Sequence, residues 1–152
     1  MDNKPLVIPA TDDPDTAGFW AATRSEKLVV QRCDDCGKMR FPPRPACTCG
    51  SFALQWHEVS GRGRVWSYAV AHAPTLPAFS ELLPYVFAVI ELEDAPHLRM
   101  VGNLATSADA PINSVSQDEV AIGQDVTVAF RRVTDEVTLP VWIPTNRPEL
   151  AQ

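Results

Sequence analysis

The chain has no apolar run approaching the roughly 20 residues needed to cross a bilayer as a helix, so no membrane association is expected. Its first ten residues, MDNKPLVIPA, hold no apolar signal core, and a cytoplasmic location is expected. Several enzyme signatures are missing: no G-x-S-x-G, no P-loop, no G-x-G-x-x-G and no H-E-x-x-H. His57, His72 and His97 are scattered, none beside a thiol or a serine in a nucleophile motif, so no catalytic residue is expected. Basic charge is in short supply. Thirteen Lys and Arg face nineteen Asp and Glu, and the formal charge of −6 argues against bulk attraction to nucleic acid. Cysteine is absent from most of the chain, and its four copies all fall between positions 33 and 49.

Those four occur as Cys33-x-x-Cys36 and Cys47-x-Cys49, in the stretch CDDCGKMRFPPRPACTCG. Two thiolate pairs about a dozen residues apart match a tetrahedral Zn²⁺ site built from two knuckles, which implies one zinc per chain. A glycine follows each pair (Gly37, Gly50), where a knuckle needs positive φ and backbone N–H groups turned toward sulfur. The second pair is one residue shorter than the usual Cys-x-x-Cys, so its turn must be tighter. Two disulfides are the rival use of the same residues, and His57 is the nearest substitute ligand should one thiol not bind. A site closed by four protein ligands leaves no open position for water, so it would build a surface and do no chemistry.

Charge is unevenly spread. Residues 24–64 carry an excess of four basic side chains, which leaves −10 for the remainder. Arg40, Arg44 and Arg62 could meet phosphates; a solvated surface, or a balance to the thiolates, is the plainer account.

Residues 1–15, with three prolines and four aspartates, are expected to be a flexible tail. Asp15 or Thr16 can cap a helix carrying Phe19, Trp20 and Ala22 toward Arg24. Short strands at Leu28 to Arg32 and Met39 to Phe41 flank the first knuckle, and Pro42-Pro43 forbids helix beyond it. Residues 16–59 thus form a helix and a ribbon with little core of their own.

The character changes at residue 60. Arg64 to Ala73 reads as a long strand with Val65, Ser67, Ala69 and Ala71 on one face and Trp66, Tyr68, Val70 and His72 on the other. Tyr85 to Leu92, Leu98 to Leu104, Asp125 to Arg131 and Val137 to Ile143 complete five strands, with Pro140 marking the last as an edge or a bulge. Five strands in about 80 residues, with one longer connection after the third, fit a small Greek-key barrel of OB type over 60–144. An SH3-like barrel is the nearest rival, and 145–152 is a C-terminal tail. The proline-rich connection Pro74 to Pro84 is apolar for a loop: Leu76, Phe79, Leu82 and Leu83 either fold back on the barrel or face another protein. Trp66 and Tyr68, beside Arg62 and Arg64, are the one arrangement that could stack single-stranded nucleic acid.

Taken in order, FW near the start, LVVQRCDDCGKMRFPPRPACTCGS, GRGRVWSYAVAH, PYVFAVIELED, IGQDVTVAF and LPVWIP resemble a family that joins a rubredoxin-like zinc ribbon to an OB fold. The resemblance runs from Phe19 to Pro144 and implies a mainly β protein: N-terminal helix, rubredoxin-like ribbon, C-terminal five-stranded OB barrel. It implies an accessory role in acyl-CoA metabolism, as the non-catalytic subunit of a thiolase, a retro-aldol lyase acting on steroid side chains, or a hydratase. The metal ligands would be Cys33, Cys36, Cys47 and Cys49. The partner-facing candidates are Phe19, Trp20, Leu76, Phe79, Leu82 and Leu83. The alternatives are a free acyl-CoA binder, with the coenzyme's phosphates on Arg40, Arg44 and Arg62, and a single-strand nucleic-acid binder.

Overall fold

The computed structural model describes residues 7–145, so positions 1–6 and 146–152 of the expected tails lie outside the described residues. Residues 7–13 adopt no helix or strand, and a turn leads into helix α1 (Ala17–Arg24). The capping differs from expectation. Thr16 occupies the N-cap without a side-chain hydrogen bond. Asp13 organises the start instead: its carbonyl accepts from the N–H groups of Thr16 and Ala17, and its carboxylate accepts from that of Asp15 at 2.9 Å. Phe19 and Thr23, one helical turn apart, share the inward face.

A three-stranded antiparallel ribbon follows, in the order β2-β1-β3, from β1 (Val29–Cys33), β2 (Met39–Arg40) and β3 (Leu54–Glu58). The sequence gives little sign of β3, because Gln55, Trp56, His57 and Glu58 remain exposed and carry no buried alternation. Backbone pairing with β1 from Val29–Glu58 to Cys33–Leu54 fixes it in place.

The remaining five strands form one antiparallel sheet in the order β6-β5-β4-β7-β8: β4 (Arg62–Ala71), β5 (Tyr85–Leu92), β6 (Arg99–Asn103), β7 (Asp125–Arg132) and β8 (Thr138–Pro144). The sheet curls until its two edges meet at a parallel bridge between Leu104 and Trp142. A five-stranded sheet closed in this way is the partly open barrel of an OB fold. Pro140 lies on β8, the edge strand, where a missing N–H costs least.

The faces of β4 correct a simple alternation. A β-bulge between Val65 and Ser67 shifts the register against β5. Val65 points inward, Trp66 and Ser67 are both exposed, and Tyr68 and Val70 return to the core side. Val65 therefore shares its face with Tyr68 and Val70 and not with Ser67 and Ala69, because the extra residue inverts the period-two pattern beyond it. The connection after β4 is no open loop either: Pro77–Leu82 forms a 3₁₀ helix, entered by a proline that presets φ.

Among the described residues, one hydrophobic core joins helix, ribbon and barrel. Phe19 from the helix and Leu28, Val29 and Val30 from the ribbon cluster with Val65, Ala88, Ile90, Met100 and the fully buried Trp142 of the barrel. The ribbon has no separate core, as its composition implies. Among the described residues no helix is long and apolar enough to cross a membrane.

Candidate metal centre and surrounding surfaces

The two knuckles hang from β1 and the loop before β3. Backbone N–H groups close each turn: Gly37 donates to the carbonyl of Cys33 and Gly50 to that of Cys47, both at 2.9 Å. Both glycines have positive φ, +71° and +89°, as a knuckle requires. The short second pair is held by an additional bond from the Cys47 N–H to the carbonyl of Ser51. The ligand atoms of Cys33, Cys36, Cys47 and Cys49 all lie within 4.8 Å of one another. Cys33 and Cys49 approach at 3.7 Å, Cys36 and Cys47 at 3.6 Å. A tetrahedron with zinc–sulfur bonds of about 2.3 Å has sulfurs about 3.8 Å apart, so the four thiols fit a zinc ion with little movement. All four are unbridged, so the disulfide alternative does not describe this structure. His57 is exposed on β3, paired across the backbone with Val30, and is not in the cluster.

The electrostatics of the site is uneven. A backbone N–H from Cys49 to the Cys47 sulfur, helped by its thiol neighbours, brings Cys47 down to about 6. The N–H of Cys36 likewise lowers Cys33. At Cys49 the N–H of Ser51 acts in the same direction, but the facing sulfurs of Cys36 and Cys47 and partial burial outweigh it, and Cys49 is pushed up to about 12. A dication among the sulfurs removes that mutual penalty.

A polar brace supports the cluster. The buried Gln31 side chain accepts from Arg40 Nε and Nη2 and from the Arg44 N–H, each at 2.9 Å. Arg40 also donates to the carbonyls of Ala46 and Arg44, which fastens the strand of the first knuckle to the approach to the second. Sequence alone does not single out Gln31; its place between two basic positions becomes meaningful only once β1 and β2 pair.

That network bears on the phosphate candidates. Arg40 spends its guanidinium on the ribbon's own oxygens, while Arg44 is exposed. Arg62 sits elsewhere, ion-paired with Glu93, whose carboxylate raises its pKa further. It lines an open groove of about 500 Å³ with Arg64, Glu91, Glu93 and Asp125. Arg64 is paired with Asp125 at 3.0 Å, so the groove is mixed in charge and its carboxylates would repel a phosphate. The aromatic platform also comes apart. Trp66 faces outward with the Arg99 guanidinium 3.9 Å above its ring, while Tyr68 packs inward.

Of the partner-facing candidates, Phe19 is 5% exposed and packs in the core against Trp20 and Phe41, with ring centroids 5.0 and 5.5 Å away, while also reaching the floor of the groove beside Trp20. Trp20 is half-buried and forms one wall of an apolar groove of about 360 Å³ that also involves Phe41, Pro42, Met100 and Leu139. This groove joins helix, ribbon and barrel. Of its lining, Phe19 and Trp20 stood out in the sequence; the Phe-Pro-Pro run was the further available signal, legible as a rigid apolar wall. On the other side, Leu76 is 57% exposed beside half-buried Phe79, Leu82 and Leu83, and the Phe79 and Tyr85 rings lie 6.1 Å apart.

Residues 20–55 match the family model described as the ChsH2 rubredoxin-like zinc ribbon domain, and residues 56–131 the ChsH2 C-terminal OB-fold domain. The chain is 39% identical over 131 residues to a probable enoyl-CoA hydratase alpha subunit of Thermomonospora curvata, covering 86% of this chain and 37% of that protein. It thus spans little more than a third of that longer relative. A DUF35 domain-containing scaffold protein of Methanothermobacter thermautotrophicus is 35% identical over 111 residues, covering 72% of this chain and 75% of its own length. Among solved structures, a chain of the Ltp2-ChsH2(DUF35) aldolase superposes with a TM-score of 0.76 at 37% identity, covering 91% of this chain and all of that one. With both parts matched in order and across the cysteine cluster, the chain belongs to the ChsH2 family of zinc-ribbon and OB-fold proteins.

Proposed function

We propose that the chain is a non-catalytic subunit that assembles with a thiolase-like enzyme, a thiolase or a retro-aldol lyase acting on CoA thioesters. The observation that carries this reading is the likeness to a chain of the Ltp2-ChsH2(DUF35) aldolase, which extends over the whole of that chain. The scaffold relative points the same way, and the hydratase subunit widens the class of partner to other acyl-CoA enzymes. In this role Cys33, Cys36, Cys47 and Cys49 hold one Zn²⁺ per chain. Bound there, the ion supplies cross-linking and charge compensation to a ribbon without a core of its own. The partner contacts fall on the apolar tip Leu76, Phe79, Leu82 and Leu83 and on the groove beside Trp20. A wall already rigid before assembly loses little ordering entropy when it docks.

A free acyl-CoA binder draws less support, since Arg40 and Arg62 are engaged by protein oxygens. The deciding experiment is a tagged pull-down from native extract, with co-eluting proteins identified by mass spectrometry. A stoichiometric thiolase-like enzyme is the expected result. A solitary protein that gives binding heat with an acyl-CoA in calorimetry would overturn it in favour of the binder.

A further inference from the structure

The four sulfurs of the cluster are not equivalent. Cys36 and Cys49 are exposed, whereas Cys33 and Cys47 are buried at 1% and 5%. Two close contacts run between the knuckles, and each joins one exposed sulfur to one buried sulfur: Cys49 to Cys33 at 3.7 Å and Cys36 to Cys47 at 3.6 Å. Each pair therefore contains a thiol that solvent can reach and a second, shielded thiol in position to react with whatever forms on the first. The geometry points to an oxidative modification site: the Cys36 and Cys49 thiolates attack hydrogen peroxide, and Cys47 and Cys33 resolve the sulfenic acids into two cross-knuckle disulfides with expulsion of the metal.

The chemistry balances without a further cofactor. The exposed thiolate attacks one peroxide oxygen, the O–O bond breaks, and a sulfenic acid forms as hydroxide leaves and is protonated to water. The buried thiolate then attacks that sulfur; the S–S bond forms and a second hydroxide leaves, again taken up as water. Each pair gives up two electrons to one peroxide. Both pairs together, with four protons from solvent, yield two disulfides, four waters and free Zn²⁺. A sulfur–sulfur bond of about 2.0 Å requires the paired sulfurs to close from their present separation, within reach of side-chain rotation in the exposed partner. Once the thiolates are consumed, the ion has no ligands. The metal release rests on the zinc assignment proposed above, whereas the pairing of the sulfurs does not.

The test uses the full chain, with zinc measured by elemental analysis before and after excess hydrogen peroxide. Dimedone traps the first sulfenic acids, and alkylation with peptide mapping locates the products. Trypsin separates Cys33 and Cys36 from Cys47 and Cys49 by cutting after Arg40, so cross-knuckle bonds link two peptides and within-knuckle bonds do not. The expected result is early dimedone on Cys36 and Cys49, then Cys33–Cys49 and Cys36–Cys47 links by fragmentation, with complete loss of bound zinc. Dimedone on Cys33 or Cys47, within-knuckle bonds, terminal sulfonates at Cys36 and Cys49, or retained zinc with four alkylatable thiols would each overturn it. Protein that starts without zinc yet forms the same cross-knuckle links supports the oxidation site and counts against the metal assignment instead.

Discussion

Cys49 holds its proton hard, pushed up to about 12, while Cys47 is brought down to about 6. A metal that binds four thiolates must displace the protons that remain near neutral pH, so loading releases protons and acidification favours the metal-free chain. Titration of zinc into metal-free protein in buffers of different ionisation enthalpy should therefore give an apparent heat that changes linearly with the buffer. A heat independent of the buffer would mean that all four ligands are already ionised. A second single-residue effect is steric. A Cβ on Gly63 would lie 2.5 Å from the Glu91 carbonyl oxygen and 2.6 Å from Ile90 Cγ2, in the tight pairing of β4 with β5. Backbone cannot give way as a flexible side chain can. Gly63→Ala should cost about 3 kcal/mol and lower the melting temperature by roughly 6–12 °C. An unchanged melting curve would show that the two strands separate more easily than their register implies.

At the scale of elements, the β4–β5 hairpin pairs from Gly63–Leu92 to Ala71–Tyr85, whereas β4 meets β7 only at Arg62, Gly63 and Arg64. The far half of the hairpin thus runs beyond the β7 pairing, ending in the 3₁₀ turn with its apolar side chains. Leu76→Asp removes little packing from an exposed position, so it should leave the melting temperature within about 2 °C. Its co-purification with the partner should fall about tenfold, as for a side chain worth near 1.4 kcal/mol at an interface. Loss of stability without loss of partner would assign the tip to the chain's own fold. Much of this architecture is written locally. The cysteine spacing marks the knuckles, and Tyr85–Leu92 is a strand at the same boundaries that its apolar run suggests. What the sequence conceals depends on pairing. The bulge after Val65 leaves no mark in RVWSYAVA, because alternation looks the same on either side of an inserted residue. Leu54–Glu58 is polar on the surface and owes its strand to β1. Arg40 looks like a free cation until Gln31 and two carbonyls are brought to it.

For the whole molecule, the decisive feature is that ribbon and barrel have one core. Leu28 and Val30 flank the start of β1, the strand whose far end carries Cys33, and they cluster with Ile90, Met100 and Trp142 of the barrel. A structural zinc site contributes about 10–16 kcal/mol of apparent binding free energy in isolated zinc-finger peptides. In this chain that energy cannot act on the ribbon alone, since loosening β1 uncovers barrel side chains as well. Removal of zinc by a strong chelator should therefore lower the stability of the barrel along with that of the ribbon. The measurement is thermal unfolding of chelated and zinc-loaded protein, followed by far-ultraviolet circular dichroism and by tryptophan fluorescence. Trp142 is fully buried in the barrel, and Trp56 sits on ribbon strand β3, so single-tryptophan variants report the two parts separately. Coincident transitions that move down together on chelation are expected. If Trp142 keeps its midpoint while Trp56 loses its own, the shared cluster is a contact between independent units, and zinc stabilises only the ribbon.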